Sequence, residues 1–297
     1  MSIAVGRRTR VDGRSTFGQR TGRVATRRAV EVAEANGVGV VGIKDGAHLG
    51  RLGEWAERAA GEGMLFFAVA NAQGGSQTVA PPGTAEPRLA TNPITFGVPS
   101  FGVLPFSVVY DAATSQVANG KVRKRATAGE SLPESWTTTP SGDPVTEASA
   151  FFDPETDGVL LPLGGRDAGY KGFGLAVAIE LFSGLVGDGA VVGERDPKWF
   201  DNAGTFVAID PLRFTMMETA RERVRAVVEH VRSADASPSL SVGPGGRGDR
   251  ALVPEKSEHE METERLERGI PLDGGAVKSL LELSDDLGIE VPAALNE

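Results

Sequence analysis

The sequence predicts an α/β fold whose sheet is covered by helices on both faces, and two observations predict it. Residues 38–43 and 64–70 are short, almost wholly apolar runs, the pattern of strands buried on both faces. A helical pattern precedes the first run and another lies between the two. That order, strand, loop, helix, strand, indicates a parallel pair joined by a crossover helix. At 40% apolar and 24% charged residues, the composition excludes a disordered or fibrous chain, and 297 residues suit one large or two moderate domains.

Each element follows from its own pattern. Residues 24–36 place Ala25, Ala29, Val32 and Ala33 on one helical face, with Gly37 as the stop. Leu52, Trp55, Ala56, Ala59 and Ala60 recur at helical spacing between the two apolar runs. Residues 72–87 are a Gly, Pro and Ser-rich connection, followed by strands predicted at 94–98 and 106–110. Residues 123–150 read as a long polar loop. Residues 171–186 read as a buried helix and 205–209 as a strand. Asp210-Pro211 then has the signature of a helix N-terminus, and the helix it opens runs to about Val231 with Leu212, Met216, Ala220, Val224, Val227 and Val231 inward. A low-complexity break at 233–249 precedes a last helix at about 275–287. The expected division is a basic segment 1–23, a core 24–232, a linker 233–249 and an acidic segment 250–297 whose helix packs back on the core.

There are no cysteines, which excludes disulfides, thiolate metal sites and cysteine nucleophiles and fits an intracellular, cytoplasmic protein. No secretory signal opens the chain. The fullest apolar stretch, 172–186, is interrupted by Glu180 and falls short of the roughly 20 residues a bilayer span needs, so no membrane partner is expected. The net charge is −9 but uneven: residues 1–30 hold eight arginines and one aspartate, and 250–297 hold twelve acids and five bases. A basic arm could meet nucleic acid, but only Phe17 offers a stacking ring among these arginines. Docking on an acidic surface, the chain's own tail included, is the preferred reading, and no nucleic-acid partner is expected.

Two stretches match Gly-x-Gly-x-x-Gly, and neither qualifies as a dinucleotide turn. Gly37-Val-Gly-Val-Val-Gly42 follows a helix and lies inside a strand, the reverse of the order in which a pyrophosphate meets an open helix N-terminus. Gly243-Pro-Gly-Gly-Arg-Gly248 lies in the low-complexity break. Of three histidines, His230 and His259 sit among charged residues and read as solvated. His48 lies in Lys44-Asp-Gly-Ala-His-Leu-Gly50, between the C-terminal end of a buried strand and a helix. Ligands gather at that edge, and imidazole exchanges protons near neutrality. Gly164-Gly165 and Lys171-Gly172 bracket a helix start, which is either an anion site or a glycine turn with a lysine beside it. Asp111 could accept from ribose hydroxyls or cap a turn. Metal ligation is not expected.

Taken in order, these pieces resemble the malate/L-lactate dehydrogenase family of the second type, which includes sulfolactate and ureidoglycolate dehydrogenases. The matching blocks are Val11-Asp-Gly13, His48-Leu-Gly50, Ala90-Thr-Asn-Pro-Ile-Thr-Phe96, Asp111-Ala-Ala-Thr-Ser115, Ala118-Asn-Gly-Lys121, Leu132-Pro, Gly142-Asp-Pro-Val-Thr146, and Leu161-Pro-Leu-Gly-Gly165 with Lys171-Gly-Phe-Gly-Leu175. The resemblance implies a three-layer α/β/α fold with a mixed sheet, like that of sulfolactate dehydrogenase and not the Rossmann fold. It implies hydride transfer between NAD or NADP and C2 of a small 2-hydroxy/2-oxo acid, in a homodimer. Cofactor contacts would fall on Leu49, Gly50, Arg51, Leu52, Gly53, Asn71, Asp111, Ala112, Ala113 and Lys171. Substrate contacts would fall on Thr91, Asn119 and Gly120. His48 is the acid/base group this sequence offers, and Val253-Pro-Glu-Lys256 stands where the family has a nucleotide-touching Pro-Gly-Glu. The family carries roughly 70 further residues, the size of a small helical domain, ahead of the first block, with a Ser-His pair and an arginine. The expectation is an incomplete chain of a working enzyme; the alternative is a catalytically impaired, nucleotide-binding remnant.

Overall fold

The structure, a computed structural model, describes residues 9–156, 158–194, 201–235, 253–272 and 274–291. Its centre is a six-stranded mixed sheet of β1 (Arg10–Asp12), β2 (Val38–Gly46), β3 (Leu65–Asn71), β4 (Ile94–Val98), β5 (Val108–Ala112) and β8 (Asn202–Ile209), in the order β1-β2-β8-β3-β4-β5. Helices α1 (Gly18–Asn36) and α2 (Gly53–Gly61) cover one face, where Ala25, Ala29, Trp55 and Ala56 pack on Val41, Ile43, Phe66 and Phe206. Helix α4 (Gly165–Gly187) crosses the other face, where its Phe182 carbonyl accepts from the Thr205 hydroxyl at 2.8 Å. This is the expected three-layer, mixed-sheet arrangement.

One expectation is corrected by the pairing. The two apolar runs are parallel to one another but not adjacent, because β8 lies between them and pairs antiparallel with both. Each run therefore satisfies one edge of its backbone on a strand that is 130 or more residues away in sequence. In Gly37-Val-Gly-Val-Val-Gly42, Gly37 is the left-handed C-cap of α1 and the other two glycines serve packing. A Cβ on Gly39 would lie 2.0 Å from the Ala29 carbonyl oxygen of α1, and one on Gly42 would lie 2.2 Å from that of Val186 in α4. Each opens room for a helix on a different face of the same strand.

Other boundaries differ for physical reasons. α1 starts at Gly18, six residues before its expected start, and buries Gly18, Thr21 and Gly22 in the added turns. Asp210 accepts from the Leu212 N–H at 2.9 Å, but the turn it caps is a single 3-10 turn, Pro211–Arg213. The long helix, α5 (Met217–Arg232), begins afterwards and turns Ala220 and Val228 inward; Met216 and Val227 are exposed. The polar stretch 123–150 is not a loop. α3 (Asn119–Ala128) runs into it, and Leu132, Val145 and Ala148 join Val79, Val122, Phe151 and Leu160 in a second core beside the β6 (Thr137–Thr138) and β7 (Val159–Leu160) pair.

The last helices are α6 (Lys256–Arg268), which the sequence reading did not foresee, and α7 (Gly274–Leu287). Neither buries a residue. Much of the 233–249 break, and with it the second glycine motif, lies outside the described residues. The basic start docks on Asp188 through Arg10, while Arg27 and Arg28 pair with Glu31; no described arginine of that stretch pairs with the acidic tail. α4 has 23 residues and is long and apolar enough to cross a bilayer, contrary to the sequence count. One face of it is locked to the sheet: a Cβ on Gly187 would lie 2.3 Å from the Ile43 carbonyl oxygen.

Candidate functional site

The chain leaves β2 at its C-terminal end and turns through 47–52 into α2, so this loop lies at the sheet edge where ligands collect in open α/β folds. Its shape is fixed from inside. Leu49 is fully buried, its N–H donates to Asn202 Oδ1 at 3.1 Å, and its carbonyl accepts from the Trp55 indole at 3.1 Å. α1 presses on it so closely that a Cβ on Gly18 would lie 2.0 Å from the His48 carbonyl oxygen. Gly50 takes a left-handed φ of 75°. With the backbone pinned, the His48 side chain stands exposed, and its Nδ1 accepts from the Gly50 N–H at 3.1 Å. That bond assigns the neutral ring's proton to Nε2, leaving that nitrogen as the donor.

Gly53 begins α2, and its N–H donates to Asp111 Oδ2 at 2.9 Å. A Cβ there would meet Arg51 Nη1 at 2.6 Å and that same carboxylate oxygen at 3.1 Å, so glycine leaves room for both side chains. Asp111 is part of β5, and Ala112 and Ala113 follow it half-buried. Its side chain reaches solvent, yet its carboxyl is pushed above the ordinary range. Partial burial against the start of α2 outweighs the Gly53 hydrogen bond and the Arg51 charge. Arg51 is ion-paired with Glu57 and lies 3.8 Å from Glu255. Leu52, next to it, is buried.

Asn71, at the end of β3, is buried in a polar knot. Its Nδ2 donates to Glu180 Oε1 at 2.9 Å, its Oδ1 accepts from the Gln73 and Ala203 N–H groups, and its carbonyl accepts from Asn202 Nδ2. Glu180 also accepts from Asn92 Nδ2 at 2.8 Å and from the Val192 N–H at 2.9 Å. Asn202 thus ties Leu49 of the loop to Asn71. Thr91 is half-buried, and its carbonyl accepts the Thr114 N–H at 2.9 Å, which links it to the segment after Asp111. Asn119 and Gly120 open α3, and Asn119 Oδ1 is buried without a partner among the described residues.

The structure therefore joins His48, Leu49, Gly50, Arg51, Leu52 and Gly53 with Asn71, Asp111, Ala112, Ala113 and Thr91 through a continuous set of contacts. It does not bring the Lys171 side chain into that set. Lys171 lies in the second turn of α4, exposed, with Nζ 5.8 Å from the Tyr170 ring centroid. Its backbone neighbourhood is connected, since Gly172 N–H donates to the Leu163 carbonyl and Leu163 N–H to that of Thr114. Arg166, one turn earlier, lines an open cleft of about 350 Å³ with Thr138 and Gly165. His259 is not simply solvated: its ring lies 5.2 Å from that of Phe106. Among the described residues no cluster of histidines and acids could hold a metal.

Sequence reasoning missed Glu57, Glu180 and Asn202. Glu180 alone carried a signal, as the single charge in an otherwise apolar helix. Glu255 has a φ of 80°, a left-handed conformation in which glycine would be unstrained, and it sits in the segment that resembles the family's Pro-Gly-Glu.

Comparison with known proteins agrees with this geometry. A family model described as malate/L-lactate dehydrogenase matches residues 5–281. The chain is 31% identical to a malate dehydrogenase of Pyrococcus abyssi, over 94% of this chain and 74% of that one. It is 32% identical to an L-sulfolactate dehydrogenase of Methanothermobacter thermautotrophicus, over 95% and 76%. The crystal structure of malate dehydrogenase from Entamoeba histolytica superposes with a TM-score of 0.87 at 26% identity, covering 98% of this chain and 80% of that one. The chain belongs to the malate/L-lactate dehydrogenase family and is an NAD(P)-linked oxidoreductase of 2-hydroxy/2-oxo acids.

Proposed function

We propose that this chain interconverts a malate-, lactate- or sulfolactate-like 2-hydroxy acid and its 2-oxo acid, with the nucleotide held by the 49–53 loop, Asn71 and Asp111 to Ala113. The observation that carries this reading is the Gly53 to Asp111 hydrogen bond, which fastens the loop bearing His48 to the end of β5. The donor set suits a nucleotide. The Asp111 side chain makes no other hydrogen bond among the described residues, so its carboxylate keeps lone pairs for ribose hydroxyls, and the buried Asn119 Oδ1 awaits a donor. Lys171 supports the reading as an exposed cation for a phosphate or carboxylate.

When bound, the nicotinamide supplies the hydride. The chain's own share is to position the acid at Thr91, Asn119 and Gly120 and to manage the proton. His48 Nε2 donates to the oxygen that gains charge at C2, and full transfer requires Nδ1 to take a proton from solvent as the ring releases Gly50, which leaves a neutral ring afterwards. A screen of NADH and NADPH oxidation with pyruvate, oxaloacetate and sulfopyruvate tests this. Turnover with one of them is the expected result. Nucleotide binding without any turnover would instead favour the impaired remnant.

The same reading includes a homodimer in the cytoplasm. Val40, Val207, Phe67, Phe96 and Tyr110 are register partners in one row across five strands, on the face that α1 and α2 leave open. Val40, Phe96 and Tyr110 are each more than 40% exposed, and Leu181, Phe182 and Leu185 of α4 continue the apolar surface. A contiguous patch of this kind supports a covering partner. Light scattering should give a dimer for the wild type and a monomer for the Phe96→Asp, Tyr110→Asp double variant. A monomeric wild type would contradict the assignment.

A further inference from the structure

NAD and NADP differ by a 2′-phosphate on the adenosine ribose, and a site that takes this phosphate must offer it a cation or free N–H groups. Around the start of α2 both kinds of donor are already engaged. The Gly53 N–H, at the positive end of the helix dipole, donates to Asp111 Oδ2 at 2.9 Å. Arg51 is ion-paired and hydrogen-bonded with Glu57 of α2, and Glu255 Oε1 lies 3.8 Å from its Nη1. The two engaged groups meet at one point. A Cβ on Gly53 would lie 2.6 Å from Arg51 Nη1 and 3.1 Å from Asp111 Oδ2.

We propose that Asp111 and Glu57 together make this chain select NADH over NADPH: Asp111 takes the hydroxyls of the adenosine ribose, and Glu57 keeps Arg51 from serving a 2′-phosphate there. The inference rests on the reading of Asp111 as a nucleotide ligand and adds which nucleotide it takes. His48 stands at the start of the loop and Gly53 at its end. With the hydride end of the cofactor at His48, the Asp111 end of the loop falls to the adenosine half.

The chemistry favours hydroxyls over phosphate. A carboxylate accepts from a ribose diol, but it meets a phosphate as like charge against like. The Asp111 carboxyl is already pushed above its ordinary range, chiefly by burial, and a dianion beside it would add to that cost. Arg51 cannot offset this while Glu57 holds its guanidinium. Glu255 bounds the same guanidinium with 11% of its side chain exposed, and Val253 beside it is buried with Leu104 and Val228. Glu255 is pushed up to about 8, first by burial, so near neutral pH Glu57 is the counter-ion on which Arg51 relies. The charge of Lys121 on α3 acts on Asp111 more weakly than that of Arg51, so it does not replace the guanidinium as a phosphate partner.

Fluorescence titration of NADH and NADPH at neutral pH and fixed ionic strength reads the selection without turnover. The wild type should bind NADH at least about tenfold tighter than NADPH, the direction that like-charge contact imposes. Glu57→Gln releases Arg51 and should narrow that ratio about tenfold, as one hydrogen bond to a charged group would give. Arg51→Met added to Glu57→Gln should restore the wild-type ratio, because the pair is then gone without a net change of charge. Each ratio is taken within one protein, so a uniform loss of affinity leaves it unchanged. NADPH bound by the wild type as tightly as NADH, or more tightly, would overturn the proposal. So would a ratio unmoved by Glu57→Gln, or one that stays narrowed in the double variant. Saturation by neither nucleotide would remove the nucleotide reading itself, and the selection with it.

Discussion

His48→Gln is expected to lower kcat/KM by at least about 10²-fold, the usual scale of general acid–base assistance, while the nucleotide still binds. The structure supplies the reason for separating the two effects. The loop backbone is held by Leu49, Trp55, Asn202 and the start of α1, none of which needs the imidazole. Among the described residues the ring makes one hydrogen bond, from Gly50 to Nδ1, and the residue is exposed. Glutamine can accept from the same N–H with its amide oxygen, so the loop should keep its course, but it has no titratable nitrogen. Steady-state rates and a nucleotide titration on one preparation measure both quantities. Wild-type turnover in the variant would remove His48 from the mechanism.

Glu180→Leu should have the largest effect on stability, about 3 kcal/mol, with a corresponding drop in the urea midpoint. Glu180 is 3% exposed and accepts from Asn71, Asn92 and the Val192 N–H. Leucine fills similar space but leaves the Val192 N–H without that acceptor and removes one of two acceptors from each asparagine amide, whose others are the carbonyls of Ala190 and Ala176. Glu180→Gln should cost less, about 1–2 kcal/mol, because it keeps one acceptor while turning a new donor toward existing ones. Equal midpoints for all three proteins would show that the knot is dispensable. Asn71 is oriented by this carboxylate, so a raised KM for nucleotide should accompany the loss of stability in the leucine variant.

How much of this was legible follows the range of the interactions. The apolar runs at 38–43 and 64–70 are visible because burial on both faces demands unbroken apolar residues, and the His48 loop follows from lying between a strand and a helix. The place of β8 between those strands was not legible, since antiparallel pairing of Phe206 with Val41 and Ala68 joins segments far apart in the chain. The 123–150 stretch misled because its buried residues, Leu132, Val145 and Ala148, are scattered among prolines and charges without a helical or strand period. Within the site, Asp111 was readable as the acid ending a strand, but its partner is a backbone N–H, which any residue could have supplied. The meeting of Glu57 and Glu255 at Arg51 was invisible for the same reason as β8: nearly 200 residues separate the two acids, and each looks like one more surface charge. Lys171, expected from the family resemblance, is joined to the site only through its backbone neighbourhood, while its Nζ lies 5.8 Å from the Tyr170 ring centroid.

The central claim is that a reduced pyridine nucleotide is held at the joined 49–53 loop and β5 end, without a dinucleotide turn. Fluorescence titration of NADH and NADPH against the wild type and Asp111→Ala tests it most directly. Saturable binding of at least one nucleotide is predicted, weakened about tenfold or more in the variant, as loss of a hydrogen bond to a charged group would give. No saturation with either nucleotide, or equal affinity in both proteins, would contradict it.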